Sequence, residues 1–214
     1  MKKVDDERKK MLGIRGRRAV ELAEMGLPIV PGFIIDAELT RKLPETNVKQ
    51  LLQGYIAQLE KETKKVFGDP KKPLLLKVVV SSDLNVPHFP SIHNIGLNDK
   101  TVAGFAKITS EEFAHGEYCF LMKNVGVKLL GMEPSAFASV EPKKKGAQCV
   151  MAQEYRKTLA ENFDQDAYDQ LVFILKAVAK NYCDSDIDVD NSLSIMVQAM
   201  VYGNLGEKSY SGSY

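Results

Sequence analysis

Apolar residues recur at three- and four-residue spacing in two long segments of the chain, a spacing typical of amphipathic helices. The first segment runs from Asn47 to Phe67 and is followed by Gly68 and Pro70, two residue types that commonly end helices. The second segment runs from about Ala167 to Tyr182, and Asp166 before it is a candidate N-cap. The pattern predicts one long helix in each half of the chain.

Two further helices are predicted from the signals at their ends as well as from spacing. One covers about Arg17 to Glu24, and Gly26 follows it as a candidate C-cap. The other begins at Thr109, which forms a candidate capping box with Glu112, and its apolar residues continue to Leu130.

Three shorter runs have the composition of buried β-strands. Leu74–Val80 is rich in β-branched residues and apolar at every position except Lys77, which predicts a central strand. Phe33–Ile35 and Leu193–Tyr202 are the other candidate strands. We therefore predict a mixed α+β fold, an α/β arrangement with helices packed on a mixed sheet.

The length of 214 residues predicts a single domain, or two joined lobes of about residues 1–108 and 109–214. Residues 81–98 are rich in Pro, Gly, Asn and Asp, and we predict a long loop there. Residues 142–146 are predicted to form a connector, because they hold three lysines between Pro142 and Gly146.

The composition is that of a globular protein and argues against a nucleic-acid partner. Apolar residues make up 44% of the chain and the net charge is +1, which gives no electrostatic footprint for a nucleic-acid partner. No run of 18 apolar residues occurs, so we expect no membrane span and a cytoplasmic location. The three cysteines lack the close spacing of zinc sites or redox pairs.

Two glycine-containing segments could contact phosphate groups. Gly13–Gly16 runs into a helix, where glycines allow close backbone approach, the helix N-terminus favours anions, and Arg15 can bind phosphate oxygens. An ordinary surface turn explains the same residues.

The tail from Gly203 to Gly212 could fold over phosphates as a flexible loop. On the residues alone we favour a hairpin turn there.

The sequence signals for a metal site are weaker than those for phosphate contacts. Asp184–Asp190 alternates acidic residues, but Val189 stands where a calcium loop needs glycine and Ile195 where it needs glutamate. The histidines have no spacing that places them on one face of an element. We therefore predict no metal site formed by these side chains, and the residues indicate no catalytic nucleophile.

Several segments, in order, resemble the nucleotide-binding region at the N-terminus of the pyruvate, phosphate dikinase family. The matching segments are Gly13-Ile-Arg-Gly16 with Glu21, Gly26-Leu-Pro-Ile-Val-Pro-Gly-Phe33, Phe67-Gly-Asp-Pro-Lys-Lys-Pro-Leu-Leu75, Asn94-Ile-Gly-Leu-Asn-Asp99 and Val197-Gln-Ala-Met-Val-Tyr-Gly-Asn204. Residues 140–191 match poorly and are interpreted as a divergent connector and helix.

The resemblance implies an ATP-grasp-like fold that binds ATP with Mg²⁺ and begins phosphoryl transfer toward a histidine on a separate carrier domain. It implies that Arg15 and Gly16 face the phosphates, and that Gln198, Met200 and Val201 line the adenine. The candidate nucleotide-binding residues are completed by Lys77, Gly203 and Gly212.

The chain also departs from the family pattern. Arg15 stands where the family has a phosphate-binding lysine, and residues 78–82 lack an arginine that the family carries. Lys77 is a candidate replacement for that arginine. The resemblance places the metal-binding strands beyond Tyr214, so we expect weak or no catalysis by these residues alone.

Three hypotheses follow for function. The leading one is a dikinase-like ATP-binding domain, ancestrally a phosphotransferase. The alternatives are a regulatory or protein-interaction module that retains the scaffold without catalysis, and a domain whose active site is completed in trans by another polypeptide, such as a phosphohistidine carrier.

Overall fold

A computed structural model describes residues 4–83, 91–137, 146–183 and 193–202. Its α-helices are α1 Asp6–Lys10, α2 Gly13–Glu24, α3 Ala37–Lys42, α4 Val48–Thr63, α5 Thr101–Ile108, α6 Glu111–Asn124, α7 Ala147–Leu159 and α8 Ala167–Cys183. Its strands are β1 Gly32–Ile35, β2 Val66–Phe67, β3 Pro73–Leu74, β4 Leu76–Ser81, β5 Ile92–Ile95 and β6 Ser194–Ala199. A π-helical turn, Val125–Leu129, continues α6. The predicted mixture of helices and strands is confirmed.

Four strands form one sheet in the order β1-β6-β4-β5, and every neighbouring pair is antiparallel. The prediction of a mixed sheet is therefore wrong for these four strands. Strand direction depends on pairings between distant segments: β6, near the end of the described chain, inserts between β1 and β4. The two short strands β2 and β3 form a separate parallel pair.

The two faces of the sheet differ, because side chains alternate along each strand. On one face, Val78 of β4 lies opposite Val197 of β6, and both are buried in the main apolar cluster with residues of α4 and α8. On the other face, Lys77 lies opposite Gln198 and both are only partly buried. The helix α2 covers one end of this second face, since it contacts β4 and β6. We call this second face the open face.

The long predicted helices are confirmed, with corrected ends. The first ends at Thr63 because Lys64 adopts a left-handed conformation with φ of 56°, and Val66 and Phe67 then form β2. The second begins as predicted, because the Asp166 carboxylate accepts a hydrogen bond from the Asp169 backbone N–H at 3.0 Å.

The start of α6 was predicted one residue too early. Its N-cap is Ser110, whose hydroxyl accepts from the Phe113 backbone N–H at 3.1 Å, whereas Thr109 instead donates to the carbonyl of Phe105 at the end of α5. The α2 helix begins at Gly13, four residues before the predicted start at Arg17. Gly26, predicted to cap this helix, has a left-handed φ of 76°, as expected just after a helix end.

Several elements were not predicted, among them the helix α3 and the strand β2. The strand β5 lies within the predicted loop 81–98, of which residues 84–90 lie outside the described part of the chain. The helices α5 and α7 were also missed. The predicted connector 142–146 lies outside the described residues except for Gly146, and the acidic run Asp184–Asp190 lies outside them entirely.

In the part of the chain that the structure describes, none of the helices has both the length and the apolar character that a membrane span requires.

The segment Asn94–Asp99 joins β5 to α5 through a buried polar network. The Asn98 side chain accepts from the backbone N–H groups of Lys100 and Thr101 at 2.9 and 2.8 Å, which fixes the start of α5. The buried Gln170 of α8 accepts from Gly96 N–H at 3.0 Å and donates to the carbonyl oxygen of Leu97 at 2.9 Å. The contacts of this segment tie the sheet to its helical layer.

Gln170→Met should lower the free energy of unfolding by about 3 kcal/mol, because a buried N–H group and buried carbonyl oxygens lose their partner while the side-chain volume stays similar. Urea unfolding followed by circular dichroism measures the change. Gln53→Met, at an exposed position of α4, is the control and should stay within about 0.5 kcal/mol of the parent chain. Equal stability of the two variants would contradict a structural role for Gln170.

Candidate functional site

The turn that begins α2 is fixed by two buried serines from neighbouring strands. Ser81 at the end of β4 and Ser194 at the start of β6 both donate to the backbone carbonyl oxygen of Leu12, at 2.8 and 2.6 Å. The Ser81 hydroxyl also accepts from Gly16 N–H at 2.9 Å. The helix N-terminus is therefore held against the end of the sheet at which β4 ends and β6 begins.

Gly13 is required by this close approach. Its φ is +62°, in the left-handed region that favours glycine. A Cβ atom at this position would lie 2.5 Å from the carbonyl carbon of Ser81. The neighbouring Ile14 N–H donates to the Ser82 carbonyl oxygen at 3.4 Å, which continues the backbone contact. The Gly13–Gly16 turn thus has a structural role whether or not it binds a ligand.

Arg15 and Lys77 lie near enough to each other for their charges to interact. Arg15 is exposed on the first turn of α2, and Lys77 is half-buried on the open face of the sheet. Partial burial lowers the pKa of Lys77 below its usual range, and the positive charge of Arg15 lowers it further. Among the described residues, no Asp or Glu forms an ion pair with either side chain.

Arg17, which also lies on α2, differs from Arg15 because it has an acidic partner. Arg17 forms an ion pair with Asp83, with Nη2 and Oδ1 3.2 Å apart. The protein thus provides a carboxylate for Arg17, whereas the described residues provide none for Arg15 or Lys77. Two cations whose charges interact, and for which the described residues supply no carboxylate, favour the binding of an anion.

The residues predicted to line the adenine lie along β6 and just after it. Gln198 is partly buried and pairs with Lys77 across the sheet. Met200 is partly buried, and its backbone N–H donates to the Leu75 carbonyl oxygen at 2.8 Å. Val201 is 69% exposed. The structure thus places Gln198 beside Lys77, while Gly203 and Gly212 lie outside the described residues.

A cleft of about 380 Å³ adjoins Gln198. Its walls come from α1, α2, β1, β6 and Tyr55 of α4, and they include the apolar side chains of Ala19, Val20 and Met196. Arg15 and Lys77 do not line it. The open face therefore combines a mainly apolar cleft with a separate cationic region, and Gln198 lies between them.

The described residues contain no group of three or more His, Cys, Asp or Glu side chains that could hold a metal ion. The residues on the open face fit the polyphosphate of a nucleotide rather than a free cation, since Arg15 and Lys77 are both positive.

Comparison with curated proteins gives the family. A pyruvate, phosphate dikinase from Treponema pallidum is 38% identical over 221 residues, which cover 95% of this chain and 24% of that relative. Proteins of the same name from Entamoeba histolytica and, as a chloroplastic form, Mesembryanthemum crystallinum are each 28% identical, over 97% and 95% of this chain. This chain belongs to the pyruvate, phosphate dikinase family. No protein-family model matches it.

The chain spans about a quarter of the length of the pyruvate, phosphate dikinases that it matches, between 24% and 28% of these three. The match includes most of residues 140–191, since it covers 95% of this chain, although the family motifs quoted from the sequence lie on either side of that region.

Several residues that build this candidate site were not predicted from the sequence. Ser81 and Ser194 hold the α2 turn, but isolated serines at strand ends carry no distinctive signal. The position of His93 on β5, beside the strand that carries Lys77, was also missed. The strand β5 that carries His93 was taken for a loop, so its pairing with β4 was not predicted.

Proposed function

We propose that this chain is an ATP-grasp-like nucleotide-binding domain of the dikinase type, and that it binds ATP with Mg²⁺ on the open face. In this proposal the polyphosphate lies against Arg15, Gly16 and Lys77. The adenine lies near Gln198, Met200 and Val201. Residues 1–214 act as one domain, and the glycines of the tail, Gly203 and Gly212, contribute phosphate contacts.

The observation that supports the proposal most strongly is the pair of like charges at Arg15 and Lys77, without a carboxylate from the described residues. Two cations near each other repel, and a bound anion offsets that repulsion because it attracts both of them. A charge-assisted hydrogen bond contributes about 1.5–3 kcal/mol. In this proposal two such contacts, from Arg15 and Lys77, hold the polyphosphate on this face.

The same residues define what the chain can contribute to phosphoryl transfer. Such transfer depends on positioning and on neutralisation of phosphate charge rather than on a protein nucleophile. Arg15 and Lys77 would hold and neutralise the polyphosphate, and the metal would arrive with the nucleotide. The phosphoryl acceptor in this proposal is a histidine on a carrier domain, which belongs either to the same longer protein or to a separate polypeptide. The proposed location is the cytoplasm.

Thermal melting with and without Mg-ATP tests the proposal. A ligand at 100 times its dissociation constant stabilises the folded state by about 2.7 kcal/mol, which raises the melting temperature. Arg15→Ala should remove most of this shift. Arg18→Ala, an equal charge change at an exposed position of α2, should leave it intact.

Absence of a shift in the parent chain at millimolar Mg-ATP would contradict nucleotide binding and would favour the interaction-module hypothesis. A shift that survives Arg15→Ala would instead show that the nucleotide binds elsewhere on the molecule.

A further inference from the structure

Two cysteines meet at the contact between α6 and α7, in a part of the fold that the proposed nucleotide site does not use. Cys119 lies on α6 and is buried, whereas Cys149 lies in the first turn of α7 and is partly exposed. Both are free thiols. The Cys119 thiol donates to the backbone carbonyl oxygen of Gln148, with Sγ and O 3.8 Å apart. That carbonyl belongs to the peptide unit that joins Gln148 to Cys149, so the two cysteines are neighbours across the helix contact.

The spacing between the two helices is close to what a disulfide needs. Across a planar peptide unit, a carbonyl oxygen lies about 3 Å from the Cα of the next residue. The Sγ of Cys119 therefore lies within about 7 Å of the Cα of Cys149. A disulfide places a sulfur about 4 Å from the Cα of its partner, so a movement of at most about 3 Å, shared between side chains and helices, joins the two sulfurs.

A polar cavity of about 340 Å³ makes Cys149 accessible to small solutes. It lies between α5, α6 and α7, and Cys149 lines it, whereas Cys119 does not. The polar residues that line the cavity together with Cys149 are Asp99, His115, Tyr118, Gln153 and Arg156. A small polar oxidant such as hydrogen peroxide therefore reaches Cys149 before it reaches the buried Cys119.

Burial makes Cys119 a poor first target for an oxidant. It raises the pKa of the Cys119 thiol to about 12, and the negative charge of a Cys149 thiolate contributes to that increase. Peroxides react with the thiolate rather than with the thiol. Cys119 is therefore protected from direct oxidation, yet it is in place to react with an oxidised Cys149.

We propose that Cys149 is a site of oxidation by a peroxide, and that Cys119 converts the product into a reversible disulfide between α6 and α7. In the first step the Cys149 sulfur bonds to one peroxide oxygen, the O–O bond breaks, and the other oxygen leaves as water. In the second step the Cys119 sulfur bonds to the Cys149 sulfur, the S–O bond breaks, and the hydroxyl group leaves with the Cys119 proton as water. The two thiols lose two electrons, which reduce the peroxide to two molecules of water.

The disulfide also changes the stability of the domain. It closes the loop of residues 119–149 and so restricts the unfolded chain. We expect the oxidised protein to melt about 5–10 °C above the reduced protein. A dithiol such as dithiothreitol reverses the change, because thiol–disulfide exchange restores both thiols.

Mass spectrometry of the peroxide-treated native chain, alkylated and digested without reductant, tests the proposal. We expect a linked pair of peptides that carry Cys119 and Cys149, and dithiothreitol should separate them. Cys183→Ser is the matched control, because it removes the third cysteine and should leave this pair unchanged. In the parent chain unfolded in urea, pairs with Cys183 should appear as well, since the fold no longer selects the partner.

Two variants separate the roles of the cysteines. Cys119→Ala should leave Cys149 as a sulfenic acid, which dimedone traps in at least about fivefold higher yield than in the parent chain. Cys149→Ser should leave Cys119 as a free thiol after the same treatment. Cys149 is partly exposed, so Cys149→Ser tests the proposal even where Cys119→Ala fails to fold.

Other results would overturn the proposal. Absence of the Cys119–Cys149 pair from the peroxide-treated native chain would contradict the disulfide. A native chain that pairs either cysteine with Cys183 as often as with the other would show that the contact between α6 and α7 selects no partner. Equal oxidation of Cys119 in the parent chain and in Cys149→Ser would contradict the order of the two steps. None of these results depends on nucleotide binding, so the proposed function is tested separately.

Discussion

Gly13→Ala should lower the free energy of unfolding by about 4 kcal/mol, near the upper end of single-substitution effects. The left-handed φ of +62° disfavours any residue with a Cβ, and that Cβ would lie 2.5 Å from the carbonyl carbon of Ser81. The clashing atom belongs to the backbone of β4, so relief requires α2 to move off the sheet. Urea unfolding measures the loss.

Gly26→Ala is the matched control for this prediction. Gly26 has a similar φ of +76°, but no atom lies within 4 Å of its added Cβ. It should therefore show only the conformational cost, about 1–2 kcal/mol. If the two variants lose equal stability, the close approach of α2 to β4 does not constrain Gly13.

Lys77→Met should weaken Mg-ATP binding by about tenfold to a hundredfold and should at the same time raise the thermal stability of the free protein. The affinity falls because a charge-assisted contact worth about 1.5–3 kcal/mol is lost. Stability rises because a cation that is half-buried and repelled by the charge of Arg15 is replaced by an apolar side chain of similar length. Calorimetry measures the first effect and thermal melting without ligand measures the second.

The stability difference should also depend on pH with a defined sign. Because the folded-state pKa of Lys77 is lowered from 10.5, the unfolded chain holds the proton more tightly. The resulting destabilisation is complete below the folded-state pKa and is lost as the pH rises toward 10.5. The advantage of Lys77→Met should therefore shrink in alkaline solution.

Lys107→Met, an equal charge change on the exposed side of α5, is the control and should alter neither property. A Lys77→Met variant that is less stable and binds ATP normally would show that Lys77 has a structural role instead.

Local signals explain what could be predicted from the sequence. The helices α4 and α8 were predicted because apolar spacing and caps such as Asp166 are encoded within a few residues. The helix α7 was missed, because its buried residues, Ala152, Tyr155 and Leu159, make only a sparse apolar stripe. Antiparallel pairing of β6 with both β1 and β4 joins distant segments, and no local pattern contains it.

The candidate site, like the fold, could be predicted only where local sequence signals define it. The alternation of buried and partly buried residues along β4 is a local property, and it places Lys77 on the open face. The neighbours of Lys77 depend on tertiary structure, since Arg15 comes from α2 and Gln198 from β6. The double serine contact on Leu12 likewise requires the ends of β4 and β6 to meet.

Photoaffinity labelling with 8-azido-ATP, followed by mass spectrometry of the labelled peptides, tests most directly whether a nucleotide binds on the open face. The azide is on the adenine, so the account predicts labelling around Gln198, Met200 and Val201 that excess unmodified Mg-ATP prevents. Arg15→Ala and Lys77→Met should reduce that labelling. ATP-protected labelling confined to peptides of α6, α7 or α8 would contradict the account.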